Sequence, residues 1–275
     1  TTVLLIVPVT LSITKKINIM KKHFILSLVI TTFLNLNLQA KPLPPDGGIY
    51  SHQVFLATSQ DSLTWVQDEK LLFDHASVPD AVIRPDGTIF LYFIDASGSH
   101  DKLSVAKSTD GKTWEKKAVE IEGLPEKKMA VDPNPVLLGD GSIRLFYFVP
   151  DNISGDPAFG EGDHKIYSAV SKDGLHFKQE EGIRFSHARI TDPDVVKTKS
   201  GWVLFTSMGP SLLMATSSDG KTFASDETVV SQNGAVSRTI SLGNGYRVFK
   251  CAQGTIYSQF TTDFKTWKEE GERIK

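Results

Sequence analysis

Apolar positions along this chain fall into short runs bounded by Gly, Asp, Asn and Pro, the pattern of β-strands separated by tight turns. Five such runs, Val54 to Ala57, Leu103 to Ala106, Ile166 to Ala169, Leu212 to Ala215 and Ile256 to Gln259, each lead into the same seven-residue box. The boxes run from Ser59 to Trp65, Ser108 to Trp114, Ser171 to Phe177, Ser217 to Phe223 and Thr261 to Trp267, with starts 49, 63, 46 and 44 residues apart. Each has Asp in third place, usually Gly in fourth and an aromatic residue in last place. An Asp side chain can bond the amides of a turn, Gly accepts a left-handed backbone, and the aromatic can pack between repeats. The boxes therefore predict hairpin turns with packing anchors, a structural rather than a chemical device.

Between boxes a second unit recurs. Val78-Pro79-Asp80 leads through Gly87 to an apolar strand ending at Phe93; Asp132-Pro133-Asn134 leads through Gly141 to Phe148; Asp192-Pro193-Asp194 leads through Gly201 to Thr206; and Val236-Ser237-Arg238 leads through Gly245 to Phe249. A repeat of strand, Gly turn, strand, loop, strand, box and strand, about 40 to 50 residues long, is the signature of a β-propeller. The expected fold is an all-β, five-bladed propeller of four-stranded antiparallel blades. Boxes number five and complete inner units four, which leaves two expectations open, an incomplete fifth blade or a truncated sequence.

The first 40 residues stand apart. Residues 1–19 read as upstream sequence outside the native protein. From Met20 a basic stretch (Lys21, Lys22, His23), an apolar run and Leu38-Gln39-Ala40 read as a signal peptide over residues 20–40, with residues 41–275 as one propeller domain. An uncleaved anchor is the rival reading; cleavage predicts a secreted or periplasmic protein.

Composition narrows the function. At 275 residues and 40% hydrophobic, the chain can bury a large core, which excludes disorder and small disulfide scaffolds. Its 30 basic and 32 acidic residues leave a net charge of −2 and no basic tract, so a nucleic-acid partner is not expected. Cys251 is the single cysteine and reads as an inert thiol.

Propeller topology puts all boxes at one face, here the bottom, and the starts of the inner strands at the other. The top also gathers the loops Asp95 to Asp101, Val149 to His164 and Met208 to Ser211. The long spacing between the second and third boxes places an insertion in the middle loop, with Glu161 and His164 as candidate substrate contacts or as part of a plain tolerated insertion. Aligned on their Gly turns, the inner strands share two upper positions, Val78, Asp132, Asp192 and Val236, then Asp80, Asn134, Asp194 and Arg238. Strand alternation predicts that both point the same way, over the apolar Val82, Val136, Val196 and Ile240. Crowded carboxylates repel, and some should hold protons at neutral pH. The alternative for each Asp-Pro is that it caps its strand and bonds local amides.

These inner strands, the Gly turn and the five repeats resemble the five-bladed propeller glycosidases of the arabinanase, β-xylosidase and invertase type. The resemblance implies three carboxylates on successive inner strands: a base, a modulator and an acid. It places the modulator on Asp132 and the acid on Asp192, where that family usually has Glu. The base position falls on Val78, which cannot ionise, and Asp80 is the local substitute. The expected function is hydrolysis of glycosidic bonds in a poly- or oligosaccharide, with Asp80, Asp132 and Asp192 catalytic and Asn134, Asp194, Arg238, Glu161 and His164 contacting substrate. A catalytically silent carbohydrate-binding propeller is the alternative. The boxes also resemble those of sialidases, but such enzymes are six-bladed and use three arginines, and only Arg238 stands at an upper inner position here. No cofactor is expected. Calcium on Asp80, Asp132, Asn134, Asp192 and Asp194 is weighed and placed below charge balance by Arg238. The expected partner is carbohydrate alone, with no membrane after signal cleavage and a monomeric state.

Overall fold

The computed structural model describes residues 3–9 as a backbone strand and residues 52–98, 101–126, 128–150 and 163–274 in full. The signal-peptide segment 20–40, the residues around it and Glu161 lie outside the described residues. Among the described residues there is no helix, hence none long and apolar enough to cross a membrane.

The strands form five sheets among the described residues. The first contains β1 (Val3–Val9), β2 (Gln53–Ser59) and β3 (Val66–Asp74); the second, β4 (Ala76–Ile83), β5 (Ile89–Asp95), β6 (Lys102–Ser108) and β7 (Glu115–Ala118). The third is the largest, with β8 (Glu120–Glu122), β9 (Val131–Leu137), β10 (Ile143–Phe148), β11 (Asp163–Ser171), β12 (His176–Gln179) and β13 (Phe185–Ala188). The fourth holds β14 (Ile190–Lys197), β15 (Trp202–Met208), β16 (Ser211–Ser217) and β17 (Val229–Ser231). The last holds β18 (Ala235–Leu242), β19 (Gly245–Ala252), β20 (Thr255–Thr261) and β21 (Lys268–Ile274). Pairing is antiparallel except where β8 adds to β12 in parallel. The sheets are arranged as a propeller-like ring, with β4, β9, β14 and β18 as successive neighbours about its axis. β1 pairs with β2 on the edge opposite β3, so Val3–Val9, which the sequence reading sets outside the domain, lies in the first sheet.

The boxes lie in the connections from β2 to β3, β6 to β7, β11 to β12, β16 to β17 and β20 to β21. Asp110 Oδ1 accepts the amides of Lys112 and Thr113 at 2.7 and 2.8 Å, and Asp61, Asp173, Asp219 and Asp263 repeat the arrangement. The following residue is left-handed in every box, whether Gly111, Gly174 and Gly220 or Ser62 and Phe264.

The closing aromatic of each box packs on the neighbouring sheet. Tyr92 of the second sheet meets Phe177 of the third edge-on, with ring centroids 5.9 Å apart. Phe146 meets Phe223, and Phe205 meets Trp267, at 6.2 and 6.1 Å. The same contact joins the last sheet to the first, where Phe249 meets Trp65 at 5.5 Å and 83°. Arg247 and Arg273 reinforce that junction by donating to backbone oxygens of Asp61 and Leu63. The apolar core is accordingly split into clusters between sheets: Tyr92, Leu145 and Phe177 lie in one, Phe146, Leu204 and Phe223 in the next. Full burial of each such aromatic side chain contributes about 1.5–3 kcal/mol.

Candidate active site

The axis is built by an irregularity that alternation does not predict. In β4, Ser77 lies opposite Ile94 but Asp80 lies opposite Tyr92, so one extra residue is accommodated between them. The same register shift occurs between Thr191 and Asp194 in β14 and between Ala235 and Arg238 in β18. In β9 it lies between Val131 and Asn134. Each bulge contains one left-handed, non-glycine residue: Val78, Asp132, Asp192 and Val236, with φ of 45°, 52°, 49° and 51°. Asp tolerates this conformation, whereas a β-branched Val is strained by it, so the surrounding packing must impose the shape. The bulge interrupts the simple alternation assumed for the two upper positions, and the two sets have different hydrogen-bond partners, although carboxylates of both act on Arg238.

The second positions form a circle of strand-to-strand bonds. Asn134 Oδ1 accepts the amide of Val195 at 2.9 Å, and Asp194 accepts the amide and hydroxyl of Thr239 at 3.1 and 2.7 Å. Asp80 accepts the Asn134 side-chain amide at 2.7 Å and its neighbour Ala81's N–H at 2.8 Å. Arg238 closes the circle by bringing Nε within 3.2 Å of Asp80 Oδ2 and donating to the Ser237 carbonyl at 2.6 Å. Asp194 and Asn134 are 2% and 4% exposed, whereas the Asp80 side chain keeps 14%.

The first positions carry the other two carboxylates. Asp132 Oδ2 accepts the Asp192 amide at 3.2 Å, and Asp192 Oδ2 accepts the Thr191 hydroxyl at 2.7 Å. In the next gap Ser207 Oγ accepts the equivalent amide, that of Val236, at 2.8 Å. Ser207 and Thr239 are thus structural members of the site that sequence reasoning missed. No local pattern marks them, because their partners belong to the adjacent sheet.

Burial decides the proton affinities. Asp80 is raised to about 6 by loss of solvent, against the opposing charge of Arg238 and the Asn134 bond. Asp132 is pushed upward by burial and then by the neighbouring Asp192 carboxylate. Asp194 is raised by burial, with Arg238 and Thr239 opposing. Burial of Arg238 works against its charge but is outweighed by Asp80, Asp194, Asp192 and Asp132, and its proton is held more tightly than usual. The arrangement therefore offers a carboxylic acid that keeps its proton at neutral pH beside a carboxylate balanced by a guanidinium.

Of the other expected contacts, His164 is buried in β11, with Nδ1 2.8 Å from the carbonyl of Ile190 at the start of β14 and its ring against Phe148. Glu161 lies outside the described residues. Among the described residues, no group of three or more His, Cys, Asp and Glu side chains is placed to hold a metal ion.

No family model matches the chain, and no curated protein matches its sequence. Solved structures do share its fold. A thermostable family-43 glycoside hydrolase is similar over 82% of this chain and 86% of its own, at 14% identity and a TM-score of 0.59. A family 117 glycoside hydrolase from the marine bacterium Zobellia galactanivorans is similar over 72% and 70%, at 14% identity and 0.59. The β-1,2-mannobiose phosphorylase of Listeria innocua is similar over 77% and 67%, at 13% identity and 0.57. At these identities the likeness is one of fold alone.

Proposed function

We propose that this chain is an exported, five-bladed propeller enzyme that cleaves glycosidic bonds of a poly- or oligosaccharide at the top of its axis. The observation that carries the reading is the Asp132–Asp192 pair, a proton-holding carboxyl against a second carboxylate, beside Asp80 and Arg238. The fold shared with glycoside hydrolases supports the substrate class. The five-blade count is supported by the Phe249–Trp65 junction, which repeats the contact made at the other aromatic junctions, and the boxes are of the sialidase Asp-box type. Export rests on the Met20 to Ala40 pattern.

Cleavage needs one group to take a proton from water and another to give one to the leaving oxygen. Asp80 serves as base. Asp192 serves as the acid and Asp132 as its modulator, the carboxyl whose proton affinity is raised by burial and by the neighbouring Asp192. Asn134, Asp194 and Arg238 fix the walls, and Arg238 contacts the sugar. Activity should rise as Asp80 ionises near pH 6 and fall on the alkaline side as Asp132 loses its proton.

Purified protein assayed on aryl glycosides, arabinan, xylan and fructan, each with and without inorganic phosphate, tests the proposal. Product release abolished in Asp192→Asn supports it; no product in any arm, or undiminished activity in that variant, sinks it. Val78 at the expected base position, together with the bonds already filling Asp80, favours one rival, a silent carbohydrate-binding propeller. Saturable glycan binding by calorimetry with no product would select that rival.

A further inference from the structure

The circle of second positions is built differently at Asp80, where the link to the next inner strand runs through a side chain and not through a backbone N–H. In two neighbouring pairs, the side chain at the second position of one inner strand accepts the backbone N–H one place further along the next inner strand. Asn134 takes Val195 and Asp194 takes Thr239 in this way. The equivalent partner for Asp80 is residue 135, which is proline and has no N–H. Pro135 is buried in β9, paired across to Leu145. Its equivalents Val195 and Thr239 donate out of their own sheets, so a proline here removes an inter-strand donor without costing a rung of the β9–β10 ladder. Denied that donor, the Asp80 carboxylate takes the Asn134 amide side chain and Ala81's N–H and faces Arg238.

We infer that Pro135 is a positioning residue: by withholding one amide it releases Asp80 from the structural circle that consumes Asn134 and Asp194, and presents its carboxylate to Arg238 and the axis. The inference rests on the reading of Asp80 as base, but the geometry stands apart from it. The charged groups that act on Asp80 are Arg238 from β18 and Asp194 from β14, and both are the same with or without an amide at position 135. A new N–H at that place would stabilise the ionised carboxylate and weaken it as a base.

The test is to restore the amide. In Pro135→Ala and Pro135→Val, the titration of the Asp80 carboxyl is followed by carbon NMR, assigned by its loss in Asp80→Asn, with circular dichroism as the check on folding. In the wild-type protein Asp80 should titrate near pH 6. Either variant should lower that midpoint by about one pH unit and give residue 135 an exchange-protected amide. If the protein is active, the acid limb of the pH profile should move down by the same amount and kcat should fall about tenfold, with KM little changed. An unshifted midpoint in a folded variant overturns the inference. So does a wild-type midpoint in the ordinary carboxylate range, a result that needs no variant to fold. An inactive protein whose Asp80 midpoint still moves would reject the catalytic reading and leave the positioning of Asp80 by Pro135 intact.

Discussion

Asp110, in a box at the bottom of the ring, and Asp132, at the axis on top, are both carboxylates set in a left-handed kink of a repeated unit, yet their chemistry runs in opposite directions. Asp110 is exposed and accepts two successive backbone amides at 2.7 and 2.8 Å, which hold it well below the usual carboxylate range. Asp61, Asp219 and Asp263 are held down by backbone amides in the same way, and in Asp173 burial pushes upward but is outweighed by the His176 side chain and the amides together. Asp132 accepts one amide at 3.2 Å, is half-buried and lies against Asp192, so it holds its proton more tightly than usual. Residue type is constant across the comparison; donor count and solvent are not. The bottom face is thus a set of turns and packing anchors, and the top face is where proton transfer can occur.

The sharpest way to break this division is to neutralise one carboxylate of each kind. Asp132→Asn and Asp192→Asn should each lower kcat/KM by roughly 10²–10⁴ on whichever glycoside the enzyme cleaves, with the fold retained. Asp110→Asn should leave kcat/KM unchanged. Steady-state kinetics of the three variants decides, and the division fails if Asp110→Asn is the one that loses activity.

Stability should show the reverse emphasis. A Cβ at Gly174 would lie 2.5 Å from the Phe90 ring at a φ of +80°, so Gly174→Ala must displace a buried aromatic at a sheet junction. The expected cost is about 2–4 kcal/mol from overpacking and strain together. Gly87, at the foot of β4, has a φ of +86° and nothing within 4 Å of an added Cβ, so Gly87→Ala should cost only about 1 kcal/mol. Urea unfolding of both, with activity per folded molecule unchanged, would support the bottom as a packing device.

The same contrast explains what could be read in the sequence. Each box was legible because its physics is local: Asp, the left-handed residue and the amides it captures lie within three residues of one another. The inner strands were legible as strands, and their acidic starts as a cluster, because composition and the Gly turns repeat. The bulges were not, since Val78 and Val236 are among the residues least suited to a positive φ and only the packed neighbours impose it. Likewise Ser207, Thr239 and Pro135 acquire meaning only from the register of the adjacent strand. β1 pairs with a strand that lies more than forty residues further along the chain, a distance over which no local pattern operates.

A pH series of melts separates the two kinds of carboxylate by sign. Asp132 has a folded-state proton affinity above that of the unfolded chain, so its contribution is full at low pH and is lost as pH rises from the ordinary carboxylate range through the folded-state value. Asp132→Asn removes that loss while keeping an oxygen to accept the Asp192 amide. Its Tm should match wild type near pH 4 and exceed it by a few degrees at pH 9. A lower Tm at pH 9 would mean that the Asp132 carboxylate stabilises the axis, contrary to the comparison.

The smallest effect is expected at a single box. Asp110 has a depressed folded-state proton affinity, so whatever it contributes is present above the ordinary carboxylate range and disappears as pH falls through the folded-state value. Asn at this position keeps Oδ1 as acceptor for Lys112 and Thr113 and loses only the charge, and the group is open to solvent that screens it. Asp110→Asn should therefore melt slightly below wild type at pH 7 and converge on it toward pH 2. Added salt should narrow the neutral-pH gap further, because an exposed charge acting on nearby amide dipoles is screened within a Debye length of about 8 Å at physiological ionic strength. Parallel melting curves at every pH, with no convergence on acidification, would show that the box is held by its shape alone and that the charge of its aspartate has no part in the turn.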